Sequence, residues 1–409
     1  MQQTRFKVYG YRWVVLLTYM LVTAINQLLW ITFAPITSIA ASHYAVSDLA
    51  IGLLSMSFMV IFIIVSIPAS WVIDTFGIRA AVGTGVILTG VFGLLRGVVA
   101  PRYPLVLAAQ IGIAVGQPFI LNAITTVAAR WFPLKERATA SGLGTLAMYL
   151  GIFLGLALTP YLTIHSGMDG MLRLYGIAAF GAIFVFFLLA RDHPPTAPCS
   201  PEQEERTLAL PGLKQVLHKK QFVLLMVIFF IGLGAFNGVT TWIENIVKPR
   251  GFSITQAGII GGVMIAGGLV GALIIPLLSD KYRKRIPFIF LALTGAMAGL
   301  AGLTYATGYG LLLASAFTMG FFLLSAGPVG FQYGAEIAYP APEGTSNGLL
   351  ILTGQISGII FIFSMDSFKS PATGSMTPSM TALIGLFLLS MVICTRLKES
   401  VLLTKESKG

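Results

Sequence analysis

The sequence predicts an all-helical membrane protein whose twelve transmembrane helices form two six-helix halves. Three observations predict it: twelve apolar stretches of spanning length, a single long polar stretch dividing them six and six, and a scarcity of charge. Of 409 residues, 56% are hydrophobic and 10% are charged, whereas soluble domains carry about 25% charged residues. A soluble core cannot hide that much apolar surface. The 45 glycines and 15 methionines suit helices packed closely in lipid.

The apolar segments run 13–37, 49–73, 80–100, 104–129, 138–162, 171–190, 221–246, 254–279, 286–306, 309–335, 345–365 and 378–396. Each is long enough, at 1.5 Å of rise per residue, to cross a hydrocarbon core of roughly 30 Å. Lipid offers no partner to an open backbone edge, so helices are the expected elements. The alternating ten-residue strands of a membrane barrel are not visible. Arg5, Lys7 and Arg12 precede the first segment and no small-residue cleavage site follows it, so it reads as a span and not as a removed signal.

The predicted organisation is a half at 1–190, a linker at 191–220 and a second half at 221–409. The linker contains the run HPPTAPCSPEQEER and then Leu213 to Lys220, which suits a short surface helix. Twenty of the 26 Lys and Arg residues fall on the side that holds both termini and the linker; five fall on the other side, and Arg96 lies within a span. This bias predicts both termini in the cytoplasm, in a plasma or bacterial inner membrane. It also assigns the net charge of +11 to topology and lipid headgroups rather than to nucleic acid. Two distant cysteines, Cys199 and Cys394, and four scattered histidines make no metal or disulfide pattern. No cofactor or metal is expected. No nucleophile–base pair can be assembled either, so an enzyme is not expected.

Equivalent loops of the two halves share a chemistry. After the second segment the chain reads Asp74-Thr-Phe-Gly77-Ile-Arg79, and after the eighth Asp280-Lys-Tyr-Arg283-Lys-Arg285. Each ends a helix with an acid and follows it with basic residues in a tight turn, where Gly77 can supply a positive φ. A carboxylate beside a guanidinium or a helix N-terminus can latch two helices in one conformation and release them in another. Arg130, ending the fourth segment, and Glu336, ending the tenth, are a candidate inner latch of the same kind. Toward the outer ends of their spans, Arg96, Glu244 and Asp366 either form gate or coupling ion pairs or snorkel to the interface.

Polar residues at mid-depth are the remaining signal. Asn26 lies centrally in the first segment with Trp30 one turn further on; Gln117, Asn237 and Gln355 are near the middle of the fourth, seventh and eleventh. Amides are costly in hydrocarbon unless they meet a partner or a wet cavity, so they either line a binding site or join helix to helix. Gly151-x-x-x-Gly155, Gly112-x-x-x-Gly116 and Gly267-x-x-x-Gly271 have the spacing of close helix packing. Pro118 is expected to bend the fourth helix.

Twelve segments, the paired loops and the six-and-six division resemble the major facilitator superfamily over essentially the whole chain. Ser70 and Pro276 stand where its loop motif usually begins with glycine. The resemblance implies a cavity lined by helices one, four, seven and ten, flanked by two, five, eight and eleven. A small-molecule site formed by Asn26, Trp30, Gln117, Asn237 and Gln355 follows. That set presents neutral amides and one indole, which suits a polar or cationic solute; a cation on an indole face gains roughly 0.5–2 kcal/mol.

Several blocks are more specific: NQLLW (26–30), PASWVIDTFGIR (68–79), GQPFILNAITTVAARWFPLKERATA (116–140), GAFNGVTTWIEN (234–245) and EIAYPAPEGTSNGLL (336–350). They resemble the feline leukaemia virus subgroup C receptor-related transporters, solute carrier family 49, which are associated with choline, ethanolamine, haem and other small organic solutes. In the choline carriers a tryptophan on the first helix and a tyrosine on the seventh cage the ammonium, while glutamines on the fourth and eleventh meet its polar end. Trp30, Gln117 and Gln355 match; Asn237 stands where the tyrosine is, with Trp242 one turn onward. The expectation is a monomeric secondary transporter, embedded in membrane lipid, that moves such a solute by alternating access. The alternatives are a proton-coupled drug or metabolite antiporter titrating Glu244 or Glu336, and a receptor or sensor that binds without transporting.

Overall fold

A chain that must satisfy its own backbone in lipid is driven into helix, and among the described residues every long element is helical. The structure, a computed structural model, describes residues 7–196, 216–339 and 343–399. The linker from 197 to 215, with Cys199 and the start of the surface helix expected at Leu213, lies outside them, as do residues 340–342 of the most specific block.

The helices of the first part of the chain are α1 (Arg12–Ile31), α2 (Thr37–Tyr44), α3 (Asp48–Val98), α4 (Tyr103–Leu121), α5 (Ile124–Trp131) and α6 (Leu134–Leu189). The second part holds α7 (Lys220–Thr241), α8 (Ile243–Val247), α9 (Ile254–Tyr282), α10 (Ile286–Tyr305), α11 (Tyr309–Ala338), α12 (Glu343–Ser367) and α13 (Thr377–Cys394). Local chemistry starts them where the sequence allows it. Ser47 accepts from the Ala50 amide at the head of α3, and Ser253 and Gln256 form a capping box on α9.

Among the described residues ten helices are long and apolar enough to cross a membrane, and two of these stretches are 51 residues long. A continuous helix of that length would reach about 77 Å, more than twice the hydrocarbon core. Each is broken instead at a glycine with positive φ, Gly77 in α3 and Gly167 in α6. The ten stretches therefore supply twelve spans, and the protein is an integral membrane protein of the all-helical class predicted. Large apolar side chains left open, such as Ile67 at 76% and Leu188 at 79% exposed, suit lipid and would be a liability in water.

Three expected segments are interrupted. The first ends at Ile31, and a 3-10 turn at Ala34–Ile36 containing Pro35 leads into α2. The fourth breaks between α4 and α5, four residues beyond Pro118. There the Asn122 amide donates to the Ser66 carbonyl and to the Ser66 and Ser70 hydroxyls, at 3.0–3.2 Å. The seventh breaks at Trp242.

The chain divides into two compact units, Met1–Glu205 and Arg206–Gly409. In the first, α1 packs on α6, and α3 packs on α4 and α6. In the second, α9 and α10 pack on α11, α7 packs on α12 and α13, and α10 packs on α13. Glycines set the closest approaches. A side chain at Gly151 would run into the Ala24 carbonyl of α1, and one at Gly271 into the Phe321 carbonyl of α11. These two spaced glycine pairs are packing seams, as their spacing suggested.

Candidate functional site

In the first unit, α1 brings Asn26, Gln27 and, one turn on from Asn26, Trp30 into the interior. Asn26 is fully buried; its Nδ2 donates to Thr89 Oγ1 of α3 at 3.0 Å, and its Oδ1 accepts from Gln27 at 3.4 Å. That corrects the expectation that Asn26 faces a solute: both ends of its amide are used in packing, because burying an amide without partners costs about 1–3 kcal/mol. Trp30 is 6% exposed, and its Nε1 donates to the Ser55 carbonyl of α3 at 3.2 Å. The bond fixes the orientation of the ring against α3.

Gln117 on α4 is 5% exposed, and among the described residues its amide has no hydrogen-bond partner. The helix carrying it packs against α1. Buried amides usually find a hydrogen-bond partner, so Gln117 is an exception within its helix.

In the second unit, Asn237 of α7 donates to the Gly354 carbonyl of α12 at 3.4 Å, a long and weak bond that sets it beside the backbone of Gln355. Gln355 is half-buried and, like Gln117, has no hydrogen-bond partner among the described residues. The two matched glutamines thus share a condition that Asn26 does not. Trp242 is fully buried, with its Nε1 on the Ile362 carbonyl at 3.0 Å. It is bound into the α7–α12 contact and is no substitute for the absent tyrosine.

Arg96 overturns the sequence reading most sharply. Five donors on a long stem near a span's end suggested snorkelling or a gate; instead its guanidinium is fully buried. Nη1 donates to the Leu29 carbonyl at 3.0 Å and to Gln110 Oε1 at 2.6 Å, Nη2 reaches Thr32 Oγ1 at 3.5 Å, and the group lies 5.5 Å from the Phe33 ring centroid. Gln110, missed in the sequence, is itself fully buried and donates to the Leu29 and Leu54 carbonyls. The arrangement ties α1, α3 and α4 together with neutral oxygens. Gln110→Leu should lower the stability of the detergent-purified protein by about 2 kcal/mol, because a buried cation loses a charge-assisted bond; an unchanged unfolding temperature would rule this out. The other two outer-end residues pair locally: Glu244 with Lys248 at 3.8 Å and Asp366 with Lys369 at 2.6 Å.

The loops near the other end of each unit form a second, charged centre. Gly77 has φ +86° and ψ −179°, a conformation closed to side chains. The turn it makes presents the first amides of α3's second arm to Asp192. Asp192 Oδ1 accepts from the Ile78 amide at 2.6 Å and the Arg79 amide at 3.3 Å, while Oδ2 takes Arg130 at 3.0 Å. An anion at a helix N-terminus is favoured both by free N–H groups and by the helix dipole.

The second unit repeats the device with different residues. Glu399, just past α13, accepts from the Arg285 and Ile286 amides that open α10 at 3.0–3.1 Å. The Arg285 guanidinium meets Asp280, Ser279 and Glu336, the last at 3.0 Å. Burial works to lower its pKa, but the bonds to the two carboxylates outweigh it and the net shift is upward.

Arg130 is held by Asp192 and Glu336 by Arg285, each within its own unit. Two other expected latch residues are placed differently from the sequence reading. Arg285, not Arg283, engages Asp280: Arg283 sits at φ +51° as the left-handed cap that ends α9. Arg79 donates to the Phe187 carbonyl at 3.1 Å and not to Asp74; Asp74 itself is exposed on the first arm of α3. Asp192 and Glu399 were legible in principle. Arg191-Asp192 and Lys398-Glu399 are matching base–acid doublets just beyond the last helix of each half.

The model of the Major Facilitator Superfamily matches residues 19–362. Solute carrier family 49 member A3 of Xenopus tropicalis is 30% identical over 393 residues, covering 91% of this chain and 81% of that protein. The choline/ethanolamine transporter FLVCR1 of Mus musculus is 30% identical over 422 residues, covering 93% of this chain and 75% of that protein. Among solved structures, a bacterial homologue of the human lysosomal transporter Spinster, inward-facing and unoccupied, superposes with a TM-score of 0.77. It has 16% identity, with 95% of this chain and 97% of the other covered, and so supports the fold.

Proposed function

Since the chain belongs to the major facilitator superfamily, as a secondary transporter related to solute carrier family 49, we propose that its solute is a small polar or cationic organic molecule of the choline or ethanolamine kind. The observation that carries this reading is the unsatisfied amide of Gln117, nine-tenths buried with no protein partner among the described residues. Gln355 in the second unit, though only half-buried, likewise has no hydrogen-bond partner among the described residues. Relatives at 30% identity are choline/ethanolamine transporters, which supports that solute class. Within the first unit Trp30 offers a π-face of the kind that attracts an ammonium and Gln117 a neutral donor and acceptor; within the second, Asn237 and Gln355 offer amides of the kind that suit a hydroxyl.

The lack of a second aromatic at Asn237 points to a weaker hold on a quaternary ammonium than a full cage gives, and so to solutes with more hydrogen-bonding groups. The uncoupled form is preferred over proton antiport because the acids that could titrate are already engaged: Glu336 by Arg285, and Glu244 by Lys248. Transport runs by alternating access in a monomer, with the basic loops and both termini in the cytoplasm of a plasma or inner membrane.

The test is uptake of labelled choline and ethanolamine into proteoliposomes, with and without an imposed pH gradient. Gln117→Leu and Gln355→Leu should each weaken solute affinity about tenfold, the loss expected for one buried hydrogen bond of about 1.4 kcal/mol, while unfolding temperature stays unchanged. A parallel fall in stability would make the glutamines packing residues. Binding without flux would favour a receptor, and strong dependence on the gradient would favour the antiporter.

A further inference from the structure

In the first unit a cavity of about 360 Å³ lies between Arg79, at the head of α3's second arm, and residues 187–193 at the end of α6. Two guanidinium groups line it, and both are held in place by something other than an acid. Arg79 gives one N–H to the Phe187 carbonyl. Arg191 lies over the Tyr11 ring, 5.1 Å from its centroid, and Tyr11 is in turn tied to the Leu189 carbonyl at 2.8 Å. Among the described residues neither has a carboxylate partner. The acid that does line the cavity, Asp192, is neutralised by Arg130 and by the two amides it caps. What remains is a concave surface with two positioned cationic forks and an excess of donors.

The opposite character lies directly beside it. Phe187 and Leu188 form part of the wall, and Leu188 and Phe184 are 79% and 65% exposed, as lipid-facing side chains are. Arg forks match tetrahedral oxyanions bidentately, and basic pockets at helix ends near the headgroup level suit lipid phosphates.

We propose that this cavity binds a phosphate group, the headgroup phosphate of an anionic phospholipid whose chains lie along Leu188 and Phe184, or phosphate from solution. Bound there, it bridges the start of α3's second arm to the end of α6, the same joint that Asp192 closes from within, and so stabilises that joint.

The purified protein in neutral detergent is titrated with phosphatidylglycerol, phosphatidylcholine or inorganic phosphate, and followed by native mass spectrometry and unfolding temperature. The expected result is saturable binding of phosphatidylglycerol with a rise in unfolding temperature, and no such effect of phosphatidylcholine. Arg79→Gln/Arg191→Gln should weaken that binding about tenfold or more, since charge-assisted bonds are lost, whereas Lys281→Gln/Lys284→Gln in the second unit leaves it unchanged. Stabilisation by inorganic phosphate to the same extent assigns the site to solution phosphate. Equal response to both lipids with none to phosphate, or equal loss in the two double variants, overturns the proposal. Should the Arg79/Arg191 variant not fold, displacement of phosphatidylglycerol by glycerol phosphate on the unaltered protein decides it: displacement supports the site and its absence overturns it.

Discussion

Gly77→Val is expected to lower the unfolding temperature of the purified protein by about 10 °C and to cut the yield of monodisperse protein sharply. Two costs add. At φ +86° and ψ −179° a side chain is strained by about 1–3 kcal/mol. Its Cβ would also fall on the Asp192 carboxylate, displacing the group that caps Ile78 and Arg79 and holds Arg130. Loss of such a cap costs about 1–2 kcal/mol, so the sum is about 4 kcal/mol, or about 10 °C for a domain of roughly 200 residues. Gly77→Ala should show the same direction with a smaller drop. A Gly77→Val protein within about 2 °C of the parent would mean that the turn tolerates side chains and that Asp192 is not what closes it.

Arg285→Met is the second large effect, in the corresponding joint of the other unit. The guanidinium is 7% exposed and its partner Glu336 is 8% exposed, so removing one charge strands the other in a poorly solvated place. Breaking a buried pair from one side costs about 3–5 kcal/mol. Glu336 Oε2 already has no partner among the described residues, which leaves little reserve. The informative comparison is the double variant Arg285→Met/Glu336→Leu. If the cost is the stranded carboxylate, the double variant recovers most of the loss, because two apolar groups of similar size need no counterion. Additive losses in the thermal-unfolding cycle would show instead that Arg285 acts through Asp280, Ser279 and its own packing. Transport measured on the same proteins separates stability from gating: a latch residue alters turnover more than solute affinity.

The two joints also show what kind of information sequence carries here. Gly77 and its flanking charges were visible because a turn between spans must be tight, and only glycine enters that region of backbone space freely. Asp192 and Glu399 escaped notice because each lies more than a hundred residues from the amides it caps. Arg283 and Arg285 are indistinguishable in a basic run. Helix termination at Arg283 and helix start at Ile286 are what select Arg285 as the buried member. Among the amides, Asn26, Gln117 and Gln355 looked alike by depth. Depth along a helix is set by counting, but facing is set by neighbours: Thr89 and Gln27 take up Asn26, and among the described residues none takes up Gln117.

By itself the sequence determined the solvent, the element type, the number of spans and the six-and-six division. Those follow from apolar length, glycine and charge placement, properties that act locally against lipid and water. Its motifs also pointed to the right superfamily. Only the tertiary structure decided which buried polar groups are already satisfied by a protein partner. Whether Arg96 snorkels or is enclosed by Gln110, and whether Arg130 meets Asp192, depends on which distant segment arrives beside it. In a low-dielectric interior that neighbour decides whether a polar side chain acts as packing, latch or site.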